Sequence, residues 1–305
     1  MEFLIDCDPG IDDSLALCYL FRQKDIHIAG ISTVAGNISA AQAAENVLRL
    51  LKLTGREEEI PVCVGAEHPL YGKTDGFPVK IHGRNGVADL ELPETDLRPV
   101  NLDVCDFLYK SACRCVEKPI LITLGRLTNV AKTLRRYPDY PEKISRVVSM
   151  GGAVFTRGNI TPEAEASIYG DPEAAEIAFS APWDLTLVGL DVTMRTILSR
   201  TQIRNLAACN QNPAQGRLLC ESLTYLSDFI RTKNPRMDGC PLHDPLAVLA
   251  VVEPQLVQTV SLPVAVDCSH DFTRGKVTPI PSSHPIRICT EVNAERAVRL
   301  LMNAF

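Results

Sequence analysis

The sequence predicts an α/β fold: an open, mostly parallel sheet flanked by helices, with a Rossmann-like core. Three observations predict it. Segments of strand character alternate with segments of helical character from Glu2 to Met150. Several strand segments are continuous apolar runs, the pattern of strands covered on both faces. No linker rich in Pro, Gly or Ser and no internal repeat interrupts the 305 residues, so one domain with long loops, residues 1–305, is expected. Such sheets place their sites at the carboxyl ends of the strands, here the loops after Ile5, Val34, Leu124, Met150 and Leu190.

Taken in order, EFLID is a short buried strand and IDDSLALCYLFRQ a helix. IHIAGISTV is a strand, and SAAQAAENVLRLLKLTG a helix closed by Gly55. IPVCVG is a strand, followed by the loop GKTDGFPVKIHGRNGVAD. A helix around Val104–Val116, the strand PILITLG, a helix from Leu127 to Arg136 and the strand RVVSMGG come next. The C-terminal third reads as more helical, with QGRLLCESLTYLSDFIRTK and HDPLAVLAVV as helices.

Composition narrows the function. A net charge of −6 and the absence of a basic tract argue against nucleic acid or anionic membrane as partners. No signal peptide and no apolar run of about 18 residues is evident. The 11 cysteines are scattered, with CxC at Cys113 and Cys115, and read as reduced thiols of a cytoplasmic protein rather than a zinc site.

The informative stretch is DCDPGIDD, with Asp6, Asp8, Asp12 and Asp13 packed around a Pro-Gly turn. Asp6 and Asp8 lie two apart at a strand end, and Asp12 and Asp13 at a helix start, where the dipole favours negative charge. Capping alone needs one or two carboxylates. Four that converge imply a cation or a shared proton, and hard oxygen donors suggest Ca²⁺ or Mg²⁺. A DxD after the first strand also opens the haloacid-dehalogenase phosphatases, but Pro9-Gly10-Ile11 fits that pattern badly.

DCDPGIDD resembles the N-terminal motif of the nucleoside hydrolases, the inosine–uridine-preferring family. TLGRLTNVA (Thr123–Ala131), MGGA (Met150–Ala153), GNITPEAEAS (Gly158–Ser167), DPEAA (Asp171–Ala175), LDVT (Leu190–Thr193) and PLHDPLA (Pro241–Ala247) follow in the family order. The resemblance implies Ca²⁺-dependent hydrolysis of the N-glycosidic bond of ribonucleosides. Its ligands would be Asp8, Asp13, Asp244 and a main-chain carbonyl of the TLG turn, placed at Leu124 with Thr123 the other possibility.

By the same resemblance Asp12, Asn37, Asn159 and Glu165 match substrate contacts and His82 lies near the substrate. Asp8 is assigned as general base and His243 as the acid for the leaving base. Ca²⁺ would hold the 2′- and 3′-hydroxyls and acidify a water. Asp6 reads as a buried support. Simpler roles stand beside these: Asn37 or Asn159 could close a turn, His243 could sit at a helix cap, and His82 could be a solvated loop residue. Tyr225 or Phe229 could cover the base.

The pattern departs from the family in two places. Arg126 stands where the family has Pro, and Ala166-Ser167 where it has Phe-Asn. Ser167 occupies a ribose-contacting position without an amide. The expected outcomes are slower turnover of ordinary ribonucleosides or room for a modified sugar or base. A nucleoside- or ribose-binding protein with weakened catalysis is the alternative. His243 points to pyrimidine nucleosides or inosine, and the sole tryptophan, Trp183, reads as structural. The resemblance further implies a homodimer or homotetramer.

Overall fold

The computed structural model describes residues 1–56, 60–74, 76–281 and 284–305. Of the loop Gly72–Asp89, Asp75 lies outside the described residues. The strands are β1 (Glu2–Cys7), β2 (His27–Thr33), β3 (Val62–Val64), β4 (Ile120–Thr123), β5 (Arg146–Met150), β6 (Leu185–Val188), β7 (Ile197–Ser199), β8 (Gly239–Pro241), β9 (Val257–Leu262), β10 (Val264–Val266), β11 (Val277–Pro279) and β12 (Ile286–Val292).

Eight of them form one sheet in the order β3-β2-β1-β4-β5-β6-β12-β9. Every neighbouring pair is parallel except β12 with β9. Side chains alternate between two cores, as the pleat demands. Phe3 and Ile5 of β1 enter one core, and Leu4 enters the other with Leu121, Val147 and Leu185. Because both faces are buried, these strands read as apolar runs.

From β1 the chain winds outward through β2 and β3, then returns to place β4 on the other side of β1. The strand order therefore reverses at the β1/β4 boundary. A crevice opens outside the carboxyl ends at such a switch point. Asp6 pairs there with Ser32 of β2 and Thr123 of β4.

Two helices make this crevice rigid. Ile11–Phe21 is buried along its whole length and packs against Asp244–Val252, which is buried from Asp244 to Val251. Both are apolar on nearly every side, as interior helices are. Burying Leu15, Leu17 and Leu20 stabilises by about 1.5–3 kcal/mol per side chain, which anchors the carboxylates of the first turn.

The C-terminal part contains more strand than the sequence suggests. Beyond Val252 the chain adds β9 and β12 to the sheet and forms the antiparallel pair β10/β11 before a last helix, Ala294–Met302. β9, VQTVSL, is an edge strand with mostly exposed side chains, so it lacks the apolar signature of the central strands. Among the described residues no helix is long and apolar enough to cross a membrane.

Candidate active site

Asp6 is fully buried below the crevice. Its Oδ1 accepts from Ser32 Oγ at 2.6 Å and from Asn129 Nδ2 at 2.8 Å, while its Oδ2 has no partner. Burial raises its pKa to about 7 against the effect of those two bonds. Asn129 also donates to the Thr33 carbonyl at 2.9 Å and accepts from the Ala66 N–H at 2.8 Å. One amide thus ties β1, β2 and the loop after β3 together. In the sequence Asn129 is one residue of TLGRLTNVA, and nothing local marks it for this role.

Asp8 lies just past β1. Its Oδ2 accepts the Asn37 N–H at 2.7 Å, and its buried Oδ1 has no partner. Glycines let this carboxylate sit so deep: a Cβ at Gly36 would stand 1.9 Å from Oδ2, and one at Gly125 would stand 2.6 Å from Oδ1. Asp13 Oδ1 accepts the Asp8 N–H at 3.3 Å, and its Oδ2 accepts the Gly10 N–H at 3.0 Å and Asn37 Nδ2 at 3.2 Å. Asn37 therefore bonds both acids of the loop.

Asp12, Asp13 and Asp244 each present an oxygen within 4.8 Å of the others. They come from the first turns of the two buried helices, whose N-terminal dipoles favour negative charge. Even so, burial first and the neighbouring acids next push the carboxyls of Asp13, Asp8 and Asp244 upward. Asp13 rises to about 7, and Asp8 and Asp244 rise well above the usual range. A divalent cation relieves this cost, and the unpartnered Asp8 Oδ1 is a donor of the right kind. A donor set of oxygens alone fits Ca²⁺ or Mg²⁺. Leu124 follows β4 beside β1, its N–H bonded to the Asp6 carbonyl at 2.8 Å.

Two histidines face the cluster. His243 is the residue before the helix Asp244–Val252, yet its side chain caps nothing. Its Nδ1 lies 2.8 Å from Thr193 Oγ1 instead. Burial lowers its pKa, and the charges of Asp12 and Glu165 oppose the shift. His82 is not a solvated loop residue. It is 7% exposed, and its Nδ1 accepts the Ile11 N–H at 3.1 Å. Burial lowers its pKa too, against Asp12. Tyr225, by its hydroxyl, lies 3.4 Å from the carbonyl of Lys80, two residues before His82, and Phe229 is half-buried on the same long helix. Trp183 packs in the core, donating from Nε1 to the Ala178 carbonyl at 2.9 Å.

In the segment 158–170, Glu165 is close enough to His243 for its charge to act on that ring. Glu165 is buried and accepts three backbone N–H groups, from Ser167 at 2.9 Å, Gly152 at 3.0 Å and Ile168 at 3.2 Å. Asn159 is exposed, and its Oδ1 accepts the Ala166 N–H at 3.0 Å. Ser167 is half-buried in the short helix Ala166–Gly170. Asp191, from LDVT, holds the preceding loop by accepting the N–H groups of Val154 and Phe155. Thr193 belongs to LDVT, and only the fold reveals its bond to His243.

Fold and site define an α/β protein with a buried, cation-seeking acidic crevice at its topological switch point. The chain belongs to the inosine-uridine preferring nucleoside hydrolase family, which it matches over residues 3–299. Uridine nucleosidase 1 of Arabidopsis thaliana is 34% identical over 255 residues, covering 84% of this chain and 75% of that protein. A pyrimidine-specific ribonucleoside hydrolase of Escherichia coli is 34% identical over 275 residues, covering 90% of this chain and 87% of the relative. The solved structure of a purine-preferring ribonucleoside hydrolase from Gardnerella vaginalis is similar at a TM-score of 0.94 and 29% identity, covering 100% of this chain and 98% of that one. The chain is thus a ribonucleoside hydrolase, a glycosidase that acts on N-ribosyl bonds.

Proposed function

We propose that this enzyme cleaves pyrimidine ribonucleosides and inosine to free base and ribose, with Ca²⁺ held by Asp8, Asp13, Asp244 and the Leu124 carbonyl. The observation that carries the reading is the carboxylate cluster of Asp12, Asp13 and Asp244, beside which Asp8, bonded through its N–H to Asp13, keeps a buried Oδ1 without a partner. Uridine and pyrimidine in the names of the two relatives above favour the pyrimidine side. When bound, the cation would fix the ribose diol and acidify a water.

The chain's own residues do the rest. Asp8 takes the proton of the attacking water. Asp12 and Asn37 bond ribose hydroxyls, and Asn159, Glu165 and Ser167 face the sugar from the opposite wall. Positive charge developing on the ribosyl ring is stabilised by these carboxylates. His243 donates a proton to the departing base, its ring oriented by Thr193, and His82 bonds the base edge through Nε2. Oxygen ligands with no thiolate match a hard cation, and a half-buried histidine suits proton delivery near neutral pH.

Residues 1–305 act as one domain in this reading, because the main sheet draws strands from both ends of the chain. A homodimer or homotetramer in the cytoplasm completes it, in keeping with eleven unpaired cysteines. The test is base release from a panel of purine and pyrimidine ribonucleosides, with chelator and then with added Ca²⁺ or Mg²⁺. Release of uracil from uridine that chelation stops and Ca²⁺ restores is expected. No release from any nucleoside by metal-loaded protein would overturn the reading in favour of a binding protein.

A further inference from the structure

Arg126 follows Gly125, the glycine that abuts Asp8 Oδ1, and is half-buried. Its side chain reaches the helix Ala166–Gly170. A Cβ at Gly170 would stand 2.3 Å from its Nε and 2.8 Å from its Cζ, so the guanidinium occupies room that only glycine leaves. Ser167 lies about one helical turn before Gly170. Arg126 is also close enough to Asp8 for its charge to pull that carboxyl's pKa down. Among the described residues it forms no ion pair and no hydrogen bond.

A half-buried guanidinium that feels Asp8 only at a distance has given up water without gaining a hydrogen-bonded anion in return. Its planar fork suits a phosphate monoester. The nearby acids do not fill that role. Glu165 already accepts three backbone N–H groups, and the aspartates face the cation site.

We propose that Arg126 receives an anionic substituent on C5′ of the ribose, so that the enzyme accepts nucleoside 5′-monophosphates as well as nucleosides. The proposal rests on the reading above, in which the 2′,3′-diol meets the aspartates and the base lies by His243 and His82. C5′ is then the ribose carbon that carries a further group toward the wall formed by Glu165–Gly170 and Arg126. In the reaction the oxygen of water bonds to C1′ as the C1′–N bond breaks. The bonding electron pair leaves with the base, which gains a proton. The phosphate ester stays intact, and the products are free base and ribose 5-phosphate.

The experiment compares uridine with uridine 5′-monophosphate, using Ca²⁺-loaded enzyme and scoring ribose against ribose 5-phosphate. Ribose 5-phosphate is expected as a direct product, and it should inhibit uridine cleavage more strongly than ribose does. Arg126→Ala is expected to lower the monophosphate-to-nucleoside ratio of kcat/KM by about tenfold or more, with Arg126→Lys in between. It should also remove the extra inhibition by ribose 5-phosphate. Cleavage of uridine with none of its monophosphate would overturn this inference and leave the hydrolase reading intact. So would equal losses on both substrates in Arg126→Ala, which would assign Arg126 to balancing the charge of the acids. Cleavage of neither would overturn both.

Discussion

Nδ1 of His243 lies 2.8 Å from the hydroxyl oxygen of Thr193, across an interval of fifty residues. When that hydroxyl donates, the ring proton is on Nε2, the nitrogen left for the leaving base. Thr193→Val keeps the shape and removes the bond. It should lower kcat by about tenfold with little change in KM, and His243→Ala should lower kcat by about 10²–10⁴-fold. A riboside whose leaving group departs without protonation, such as nitrophenolate, should escape both losses. Equal losses on the two substrate types would show that the pair supports structure and not proton delivery.

Chelation should destabilise the protein in a pH-dependent way. Burial raises Asp6 and Asp13 to about 7, and Asp8 and Asp244 rise as well. A carboxyl whose pKa is raised on folding binds more protons folded than unfolded. Its contribution to stability is full below the unfolded value of about 4 and is lost as pH rises through the folded value. Stripped protein should therefore melt at a lower temperature at pH 8 than at pH 5, and added Ca²⁺ should raise Tm most at pH 8. Cation affinity itself should weaken on acidification, because protons compete for the same oxygens. Thermal scans with and without chelator at both pH values decide it. A chelated protein equally stable at the two would mean that the acids are not forced together.

The bonds of Asn129 to Asp6, Thr33 and Ala66 predict a fold-level role for this side chain. Asn129→Ala leaves a buried carboxylate oxygen, a carbonyl and an N–H each short of a partner. Unsatisfied buried groups cost about 1–3 kcal/mol apiece, and relaxation around the cavity recovers part of it, so a net loss of about 2–4 kcal/mol is expected by denaturant titration. Asn129→Asp should be worse, since it sets a second acid against Asp6. A loss under about 0.5 kcal/mol would show that the three groups find other partners.

What the sequence made legible follows from how local each feature is. The central strands announce themselves because both faces are buried, and the aspartate loop because four acids crowd one turn. Asp6 was readable as a support, but its partners Ser32 and Asn129 were not, since they arrive from β2 and from a helix more than a hundred residues away. The same holds for Thr193 under His243, and for Arg126, whose guanidinium lies against Gly170 of a later helix. β9 is illegible in the sequence because an exposed edge strand lacks the apolar signature, and β12, paired on both sides, breaks its apolar run with Arg287, Thr290 and Glu291. His82 sits in a loop-like string, and only the fold shows it buried and accepting the Ile11 N–H. Local chemistry is written in strings of residues, and pairings across the sheet are written only in the fold.

Ser167 tests whether the departure at that wall matters for turnover. It is half-buried, its N–H is held by Glu165 at 2.9 Å, and its side chain is shorter than an asparagine's and carries no amide. Ser167→Asn should restore a direct hydrogen bond to the sugar and raise kcat/KM on uridine. A bond of that kind, made in a partly buried site, contributes about 0.5–1.5 kcal/mol, which corresponds to roughly two- to twelvefold. If the bond forms equally in the bound substrate and the transition state, the gain appears in KM. If it tightens as the ring gains charge, it appears in kcat. Steady-state kinetics on uridine separates the two, and a variant with both constants unchanged would show that Ser167 does not face the ribose.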